Sequence, residues 1–142
     1  MILMDTGPLV SLFDPKDSDH KNCHKILNNI SEPMLTTEAV LTEVFRLLDP
    51  ASRGSEGFKE FLVRDYITLE SLTKSMVQRC FEFMDKYADL PMDFADATLL
   101  VLAEKHRSDK VFTLDFQDFR TYQIKKGYRH YPLNLLGSEL LE

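Results

Sequence analysis

Short apolar runs alternate with helical patterns along this chain, and that alternation limits the folds it can adopt. The first run, Met1–Met4, stops at Asp5 before a Thr-Gly-Pro turn, which is typical of a buried strand. Similar runs predict strands at residues 33–36, 66–69, 111–114 and 130–135. Apolar residues at helical spacing predict helices at residues 8–13, 17–30, 38–48, 58–62, 71–87 and 93–106, with Phe81 facing the core. Pro, Gly and Ser predict an exposed loop at residues 49–57. This order predicts an α/β fold, with βαβ units forming a parallel sheet and helices on both faces.

Length and composition indicate one ordinary globular domain. We place it at residues 1–140 of 142, because the final Leu141-Glu142 is typical of an expression-tag remnant. The longest apolar run, at residues 97–103, is far shorter than the roughly 20 residues of a membrane span. No basic segment precedes the first apolar run, so we expect no signal peptide, no membrane association and a cytoplasmic location. Cys23 and Cys80 are expected to be free, buried thiols.

Acidic residues follow two of the predicted strands where each strand ends. Asp5 and Asp115 come directly after the last apolar residue of a run. Ligands of open α/β sheets bind beyond the carboxyl ends of the strands, so both side chains should point into that crevice. Asp96 lies in the first turn of the helix at 93–106, and Asp93 shares its helix face. Glu43 lies among apolar neighbours in the helix at 38–48, either at its boundary or facing a polar site.

A pocket shared by Asp5, Glu43, Asp96 and Asp115 would carry strong repulsion between carboxylates. Two unit charges 4 Å apart repel by about 4 kcal/mol at an effective dielectric constant near 20. Either some carboxyls stay protonated at neutral pH, or a divalent cation neutralises them. Ligation by carboxylates alone suits Mg²⁺ or Mn²⁺, which can activate water for phosphodiester hydrolysis. Each acid also has a structural alternative as a turn, surface or capping residue, which the sequence favours for Asp93 and Asp118.

Other catalytic and metal-binding patterns have weaker support. The chain has no glycine-rich phosphate loop and no CxxC pair. His20, Cys23 and His24 form an HxxCH pattern that lacks a further group of zinc ligands, and a helix with mixed faces explains their spacing. These observations exclude the common nucleotide-cradling motifs and disfavour a zinc site.

The charge is unevenly distributed along the chain. Its net value of −6 argues against a sequence-indifferent nucleic-acid binder. Residues 105–130, however, hold seven basic and three acidic side chains, so this segment carries +4 and the remainder −10. The basic segment could contact a phosphate-bearing ligand, or it could be solvated surface charge. The candidates for contacts with an RNA backbone are Arg120, Lys125, Lys126 and Arg129.

Four segments resemble the PIN-domain family, and within it the VapC-type toxins of prokaryotic toxin–antitoxin pairs. They are MDTGPLVSLFD (4–14), TEAVLTEVFRLL (37–48), MDFADATLLVLAEKH (92–106) and VFTLDFQDF (111–119). The resemblance implies a three-layer α/β/α sandwich with a parallel, five-stranded sheet. It also implies Mg²⁺- or Mn²⁺-dependent endoribonuclease activity, with one or two ions held by an acidic cluster at the strand ends.

The resemblance carries over residue by residue. Asp5, Glu43, Asp96 and Asp115 match the core acids, whereas Asp93 and Asp118 match positions that are acidic in some members. Thr6 and Thr113 match hydroxyl residues near the site, and Gly7 and Pro8 depart from the more common polar residues. The family also implies a homodimer and a cognate antitoxin protein that inserts a basic residue into the acidic site.

Three hypotheses follow from the sequence. The leading one is a metal-dependent ribonuclease in which activated water attacks an RNA phosphodiester, as the toxin of a toxin–antitoxin pair. The second is a non-catalytic, PIN-like regulatory module whose acidic crevice receives a basic segment of a partner. The third is a structure-specific DNA nuclease.

Overall fold

The computed structural model describes residues 1–141. Glu142, half of the dipeptide interpreted as a tag remnant, lies outside the described residues. In chain order the elements are β1 (Ile2–Met4), α1 (Thr6–Phe13), α2 (His20–Asn28), β2 (Met34–Thr36), α3 (Glu38–Leu47), α4 (Arg53–Val63), β3 (Thr68–Leu69), α5 (Lys74–Lys86), α6 (Phe94–His106), β4 (Lys110–Phe112), α7 (Phe116–Phe119), β5 (Gln123–Lys126), β6 (Arg129–Pro132), β7 (Asn134–Leu135) and α8 (Ser138–Leu141).

Five strands form one parallel sheet in the order β3-β2-β1-β4-β7. At its centre, Leu3 of β1 pairs with Leu35 of β2 on one side and with Val111 of β4 on the other. The outer pairings are also parallel, which confirms the predicted five-stranded parallel sheet. The chain moves outward from β1 to β3 and then returns past β1 to β4. The topological switch point, where such sheets bind ligands, therefore lies between β1 and β4.

Helices cover both faces of the sheet and complete the three-layer α/β/α sandwich. Right-handed crossovers place α1 to α4 on one face and α5 and α6 on the other. Accordingly, α1 contacts α2, α3 and α4, whereas α5 packs along α6. The α6 helix is apolar nearly all round, and every residue from Ala97 to Ala103 is buried, as expected of a helix inside the core.

Helix boundaries follow from the capping residues. The Thr37 and Thr73 hydroxyls accept hydrogen bonds from the third residue of α3 and of α5, respectively. Ser52 does the same for α4, so part of the segment at 49–57 that we predicted as an exposed loop is helical. Ser55 and Phe58 of α4 are buried. The loop prediction was wrong because two turn-forming residues have roles in a helix. Ser52 caps α4, and Gly54 lets α4 lie close to α1.

Two further details differ from the sequence prediction. The strand predicted at residues 130–135 is divided into β6 and β7, and β6 pairs with β5 as an antiparallel hairpin. The two-residue turn with Gly127 at φ +65° allows that hairpin to close. On α5, Phe81 is exposed although we predicted that it faces the core, and Phe83 is buried instead.

Both cysteines are free and buried, as predicted. No helix among residues 1–141 has the length and apolar character needed to cross a bilayer.

Candidate active site

Asp5 lies at the switch point, directly after β1, where its backbone N–H donates to the Phe112 carbonyl at 3.0 Å. Its carboxylate is buried, and Oδ2 accepts a hydrogen bond of 2.7 Å from Thr113 Oγ1. The same hydroxyl oxygen accepts the N–H of Asp115 at 3.0 Å. Thr113 therefore links the acid that follows β1 to the acid that follows β4. The Thr113 hydroxyl and the pairing of β1 with β4 together fix the positions of Asp5 and Asp115.

The amino terminus of α6 brings two more acids to this crevice. Asp93 caps the helix and accepts the Asp96 N–H at 2.8 Å, the structural role that the sequence favoured for it. Asp96 is half-buried, and its Oδ2 accepts a hydrogen bond of 3.3 Å from the Tyr122 hydroxyl. On the other side, Asp115 caps α7 and accepts the Asp118 N–H at 3.3 Å.

The carboxylates at this point of the fold act on one another electrostatically. Burial raises the pKa of Asp5 to about 6, against the lowering effect of its hydrogen bonds from Thr113 and Thr6, and the charges of Asp93 and Asp115 add to the rise. Burial also raises the pKa of Asp96, reinforced by repulsion from Asp5, Asp93 and Asp115.

Asp118 belongs to the same group. Burial and then the Asp115 charge raise its pKa. Thus Asp5, Asp93, Asp96, Asp115 and Asp118 form one interacting set, which we call the acidic cluster.

The donor chemistry of the acidic cluster fits a hard divalent cation. All of its ligating atoms are carboxylate oxygens, and the pKa shifts of Asp5 and Asp96 come mainly from burial and from neighbouring carboxylates. Oxygen-only donors that carry several negative charges suit Mg²⁺ or Mn²⁺. Within residues 1–141, no three Asp, Glu, His or Cys side chains are already grouped closely enough to hold an ion. Binding would therefore draw the carboxylates together.

Glu43 stands apart from the acidic cluster. Its Oε2 accepts a hydrogen bond of 2.6 Å from Arg46 Nη2. It lines an open cavity of about 440 Å³ together with Asp93 and Phe94, so it faces the cluster across a groove. Its charge is not among the main causes of the pKa shifts of Asp5 and Asp96.

A model of the PIN domain matches residues 2–125. This chain belongs to the PIN-domain family. Over 132 residues it is 23% identical to Ribonuclease VapC26 of Mycobacterium tuberculosis (strain ATCC 25618 / H37Rv), covering 90% of this chain and 96% of that protein. Its fold is similar to the crystal structure of the M. tuberculosis VapC20 toxin, which cleaves the sarcin-ricin loop. That likeness has a TM-score of 0.74 at 20% identity and covers 83% of this chain and 94% of VapC20.

The remaining predicted residues of this PIN domain lie in different places. The Thr6 N–H donates to the Asp5 carboxylate, so Thr6 supports the site through its backbone. Arg120 ends α7 close to the acidic cluster, with its guanidinium 5.7 Å from the Phe116 ring centre. Lys125, Lys126 and Arg129 lie on the β5–β6 hairpin, which runs away from the cluster along α6.

Sequence reasoning missed Tyr122, whose buried hydroxyl contacts Asp96. Burial and the charge of Asp96 raise the pKa of Tyr122, so its hydroxyl stays a hydrogen-bond donor. Nothing in the sequence around Tyr122 distinguishes it from an ordinary core aromatic residue. Its role depends on the tertiary contact between β5 and α6.

Proposed function

We propose that this PIN domain is a metal-dependent endoribonuclease of the VapC-like toxin type. The observation that carries the proposal is the acidic cluster, five carboxylates that interact at the switch point of the sheet and raise the pKa of Asp5, Asp96 and Asp118. The similarity to Ribonuclease VapC26 along nearly the whole chain supports RNA as the substrate.

Asp5, Asp96 and Asp115 are the residues that we assign to hold one or two Mg²⁺ or Mn²⁺ ions. When bound, such an ion supplies an acidified water and stabilises the charge that develops on a phosphoryl oxygen. Thr113 orients Asp5 and Asp115, and the Tyr122 hydroxyl orients Asp96. Glu43 becomes a further ligand if it leaves Arg46 and turns across the groove. Asp93 adds negative charge from its capping position, and Asp118 adds it from the first turn of α7.

The proposal extends to partners and location. The acidic cluster offers a site for a basic side chain of a cognate antitoxin, which would displace the cation and block the reaction. We also propose a homodimer that acts on cytoplasmic RNA. An antitoxin complex would be recognised by loss of cleavage at stoichiometric amounts of the partner.

Cleavage of end-labelled nucleic acids tests the activity. Purified protein would be incubated with a mixed RNA pool, single-stranded DNA and flapped duplex DNA in Mn²⁺, Mg²⁺ or EDTA. We expect metal-dependent cleavage of RNA and none in EDTA. The Asp5→Asn/Asp96→Asn double variant serves as the control for contaminating ribonuclease and should be inactive.

The other outcomes would contradict the proposal in distinct ways. Preferential cleavage of flapped DNA would assign a DNA nuclease. Stoichiometric binding of a basic partner without cleavage of any substrate, in either metal, would favour the regulatory module. Equal cleavage by the double variant would remove the acidic cluster from the mechanism.

A further inference from the structure

Residues 119–138 form the longest segment of the chain without an acidic residue. They include Arg120, Lys125, Lys126 and Arg129 and therefore carry +4 in a chain of net −6, which leaves −10 on the remainder (−6 − 4). This segment leaves the acidic cluster at Arg120 and continues into the β5–β6 hairpin. The local charge is therefore negative at the acidic cluster and positive along the segment that follows it.

The hairpin extends to the end of the molecule opposite the acidic cluster. The Lys125 backbone N–H donates to Glu104 at 2.7 Å, and Glu104 lies about 12 Å from Asp96 along α6 at 1.5 Å per residue. Lys126 Nζ is 3.7 Å from Asp109, which precedes β4, whereas Asp115 follows β4. At about 3.3 Å per extended residue, those two acids are roughly 15–20 Å apart.

An exposed polar edge joins the two ends. Thr121, Gln123 and Lys125 are exposed, whereas the intervening Tyr122 and Ile124 are buried. Alternation along an extended strand places exposed side chains on one face at a spacing of about 7 Å. A ligand lying along this edge meets neutral or positive side chains from Arg120 to Lys125.

The hairpin tip carries unbalanced positive charge. Lys126 lies directly opposite Arg129, a like-charge pairing that destabilises a two-stranded ribbon. Asp109 offsets part of this repulsion at Lys126. In the described part of the chain, the Lys125 ammonium and the Arg129 guanidinium make no ion pair, and both residues are exposed. An anion bound at the tip would convert this repulsion into attraction.

The tip also presents an aromatic ring to solvent. Gly127, at φ +65°, opens the two-residue turn and leaves Tyr128 fully exposed. Tyr131 lies beneath Lys126, with the ammonium 5.1 Å from the ring centre. Cations that follow a phosphate backbone, together with an exposed aromatic ring on which a base stacks, are the features of surfaces that bind single-stranded nucleic acids.

We propose that the β5–β6 hairpin is a second RNA-binding site, separate from the acidic cluster, that selects RNAs long enough to occupy both. This inference rests on the proposed ribonuclease function. A short RNA reaches the acidic cluster alone, whereas a longer one follows the exposed edge and contacts Lys125 and Arg129. The hairpin therefore lowers the KM for long RNA and leaves kcat unchanged.

Binding measurements test the hairpin independently of cleavage. The hairpin variant is Lys125→Gln/Arg129→Gln, and the matched control is Lys21→Gln/Lys25→Gln, which removes two exposed α2 cations that make no ion pair among the described residues. Fluorescence anisotropy would follow a labelled, mixed-sequence 30-nucleotide RNA in EDTA at several salt concentrations. We expect the hairpin variant to bind about tenfold more weakly and to lose roughly 1.4 from the salt slope, since each single-strand phosphate contact contributes about 0.7. The control should match the wild type.

Kinetics in Mn²⁺ provide the second measurement. The hairpin variant should raise the KM for the 30-nucleotide RNA about tenfold at unchanged kcat, with no effect on a six-nucleotide RNA. Equal losses in the control variant, unchanged affinity in the hairpin variant, or no salt-dependent RNA binding by the wild type would overturn the proposal. Unchanged RNA affinity combined with altered self-association in sedimentation would assign the hairpin to protein contacts instead. If no protein cleaves RNA, the ribonuclease proposal fails, and anisotropy still decides the hairpin.

Discussion

At the residue scale, Asp5 and Asp96 are held where a negative charge is unfavourable. The folded-state pKa of Asp5, about 6, lies above its ordinary value of 3.8. Burial of the protonated Asp5 carboxyl therefore contributes its full stability below pH 3.8, and this contribution is lost as pH rises through 6. The loss for Asp5 is about 3 kcal/mol by the usual conversion of a pKa shift to free energy. Burial of Asp96 acts in the same direction.

The pH dependence of folding gives the first prediction. Without divalent metal, the free energy of unfolding of the wild type should fall between about pH 4, where the unfolded carboxyls ionise, and about pH 8, to which burial raises the pKa of Asp96. Asp96→Asn keeps an acceptor for the Tyr122 hydroxyl and removes a repelling charge, so it should flatten this decline and raise the Tm at pH 7.5 by several degrees. Chemical and thermal denaturation in EDTA would measure both effects. The same variant should be inactive toward RNA.

Asp65→Asn is the control for this prediction, because it removes an exposed acid that precedes β3, at the end of the parallel sheet opposite the acidic cluster. It should change neither the pH profile nor the Tm by a comparable amount. A lower Tm for Asp96→Asn than for the wild type would show that the acidic cluster is not strained by its own charge.

Thr113 provides a matched pair of substitutions. Its hydroxyl donates to Asp5 and accepts from Asp115, so Thr113→Val breaks both links and leaves the Asp115 N–H without that partner. We expect Thr113→Val to cost about 1–3 kcal/mol of stability and at least 100-fold in kcat, whereas Thr113→Ser keeps both. Denaturation and single-turnover cleavage would compare the two. Equal kcat in the valine and serine variants would remove Thr113 from its positioning role.

At the scale of elements, the contact between α1 and α4 depends on a glycine. A Cβ at Gly54 would come within 2.0 Å of the Phe13 carbonyl oxygen, whereas one at Gly57 would meet the side of the Phe13 ring at 3.3 Å. In a helix without such contacts, alanine is more stable than glycine by roughly 1 kcal/mol. At Gly54 the close approach to backbone atoms reverses that preference.

The two glycines of α4 should therefore respond differently. Gly54→Ala is expected to lower stability by about 2 kcal/mol or more, because α1 and α4 must separate. Gly57→Ala should stay within about 1 kcal/mol of the wild type. Urea denaturation measures the difference, and similar values for the two variants would refute the close packing of α4 on Phe13.

At the scale of the whole molecule, the strands of the central sheet could be predicted from the sequence more accurately than the peripheral hairpin. A short run in which every residue is apolar, such as Ile2–Met4, predicts a buried strand without ambiguity. The acids that follow β1 and β4 also lie at the predicted strand ends. The β5–β6 hairpin was missed because only Ile124 of β5 and the preceding Tyr122 are buried, which leaves too little apolar pattern to mark a strand. The buried aromatic residue of α5 was predicted as Phe81 and is Phe83. With two aromatic residues so close in sequence, the apolar pattern fits two rotations of the helix about its axis.

The site shows the same division between local and tertiary information. The positions of Asp5, Asp96 and Asp115 follow from strand and helix ends, which are local features. Glu43 and Arg46 are three residues apart on α3, so their pairing is also local. The contact of Tyr122 with Asp96 and the remote position of Lys125 depend instead on how elements pack. The sequence alone could not provide these tertiary contacts.

Proton release on Mn²⁺ binding tests the central claim most directly. If Asp5 and Asp96 hold the ion, it must displace the protons that their raised pKa values retain. Calorimetric titrations at pH 6, in buffers of different ionisation enthalpy, should show Mn²⁺ binding with release of about one proton and less release at pH 9. Asp5→Asn/Asp96→Asn should not bind the ion. Binding that is unchanged in the double variant, or no binding by the wild type at either pH, would contradict the assignment of this acidic cluster as the metal site.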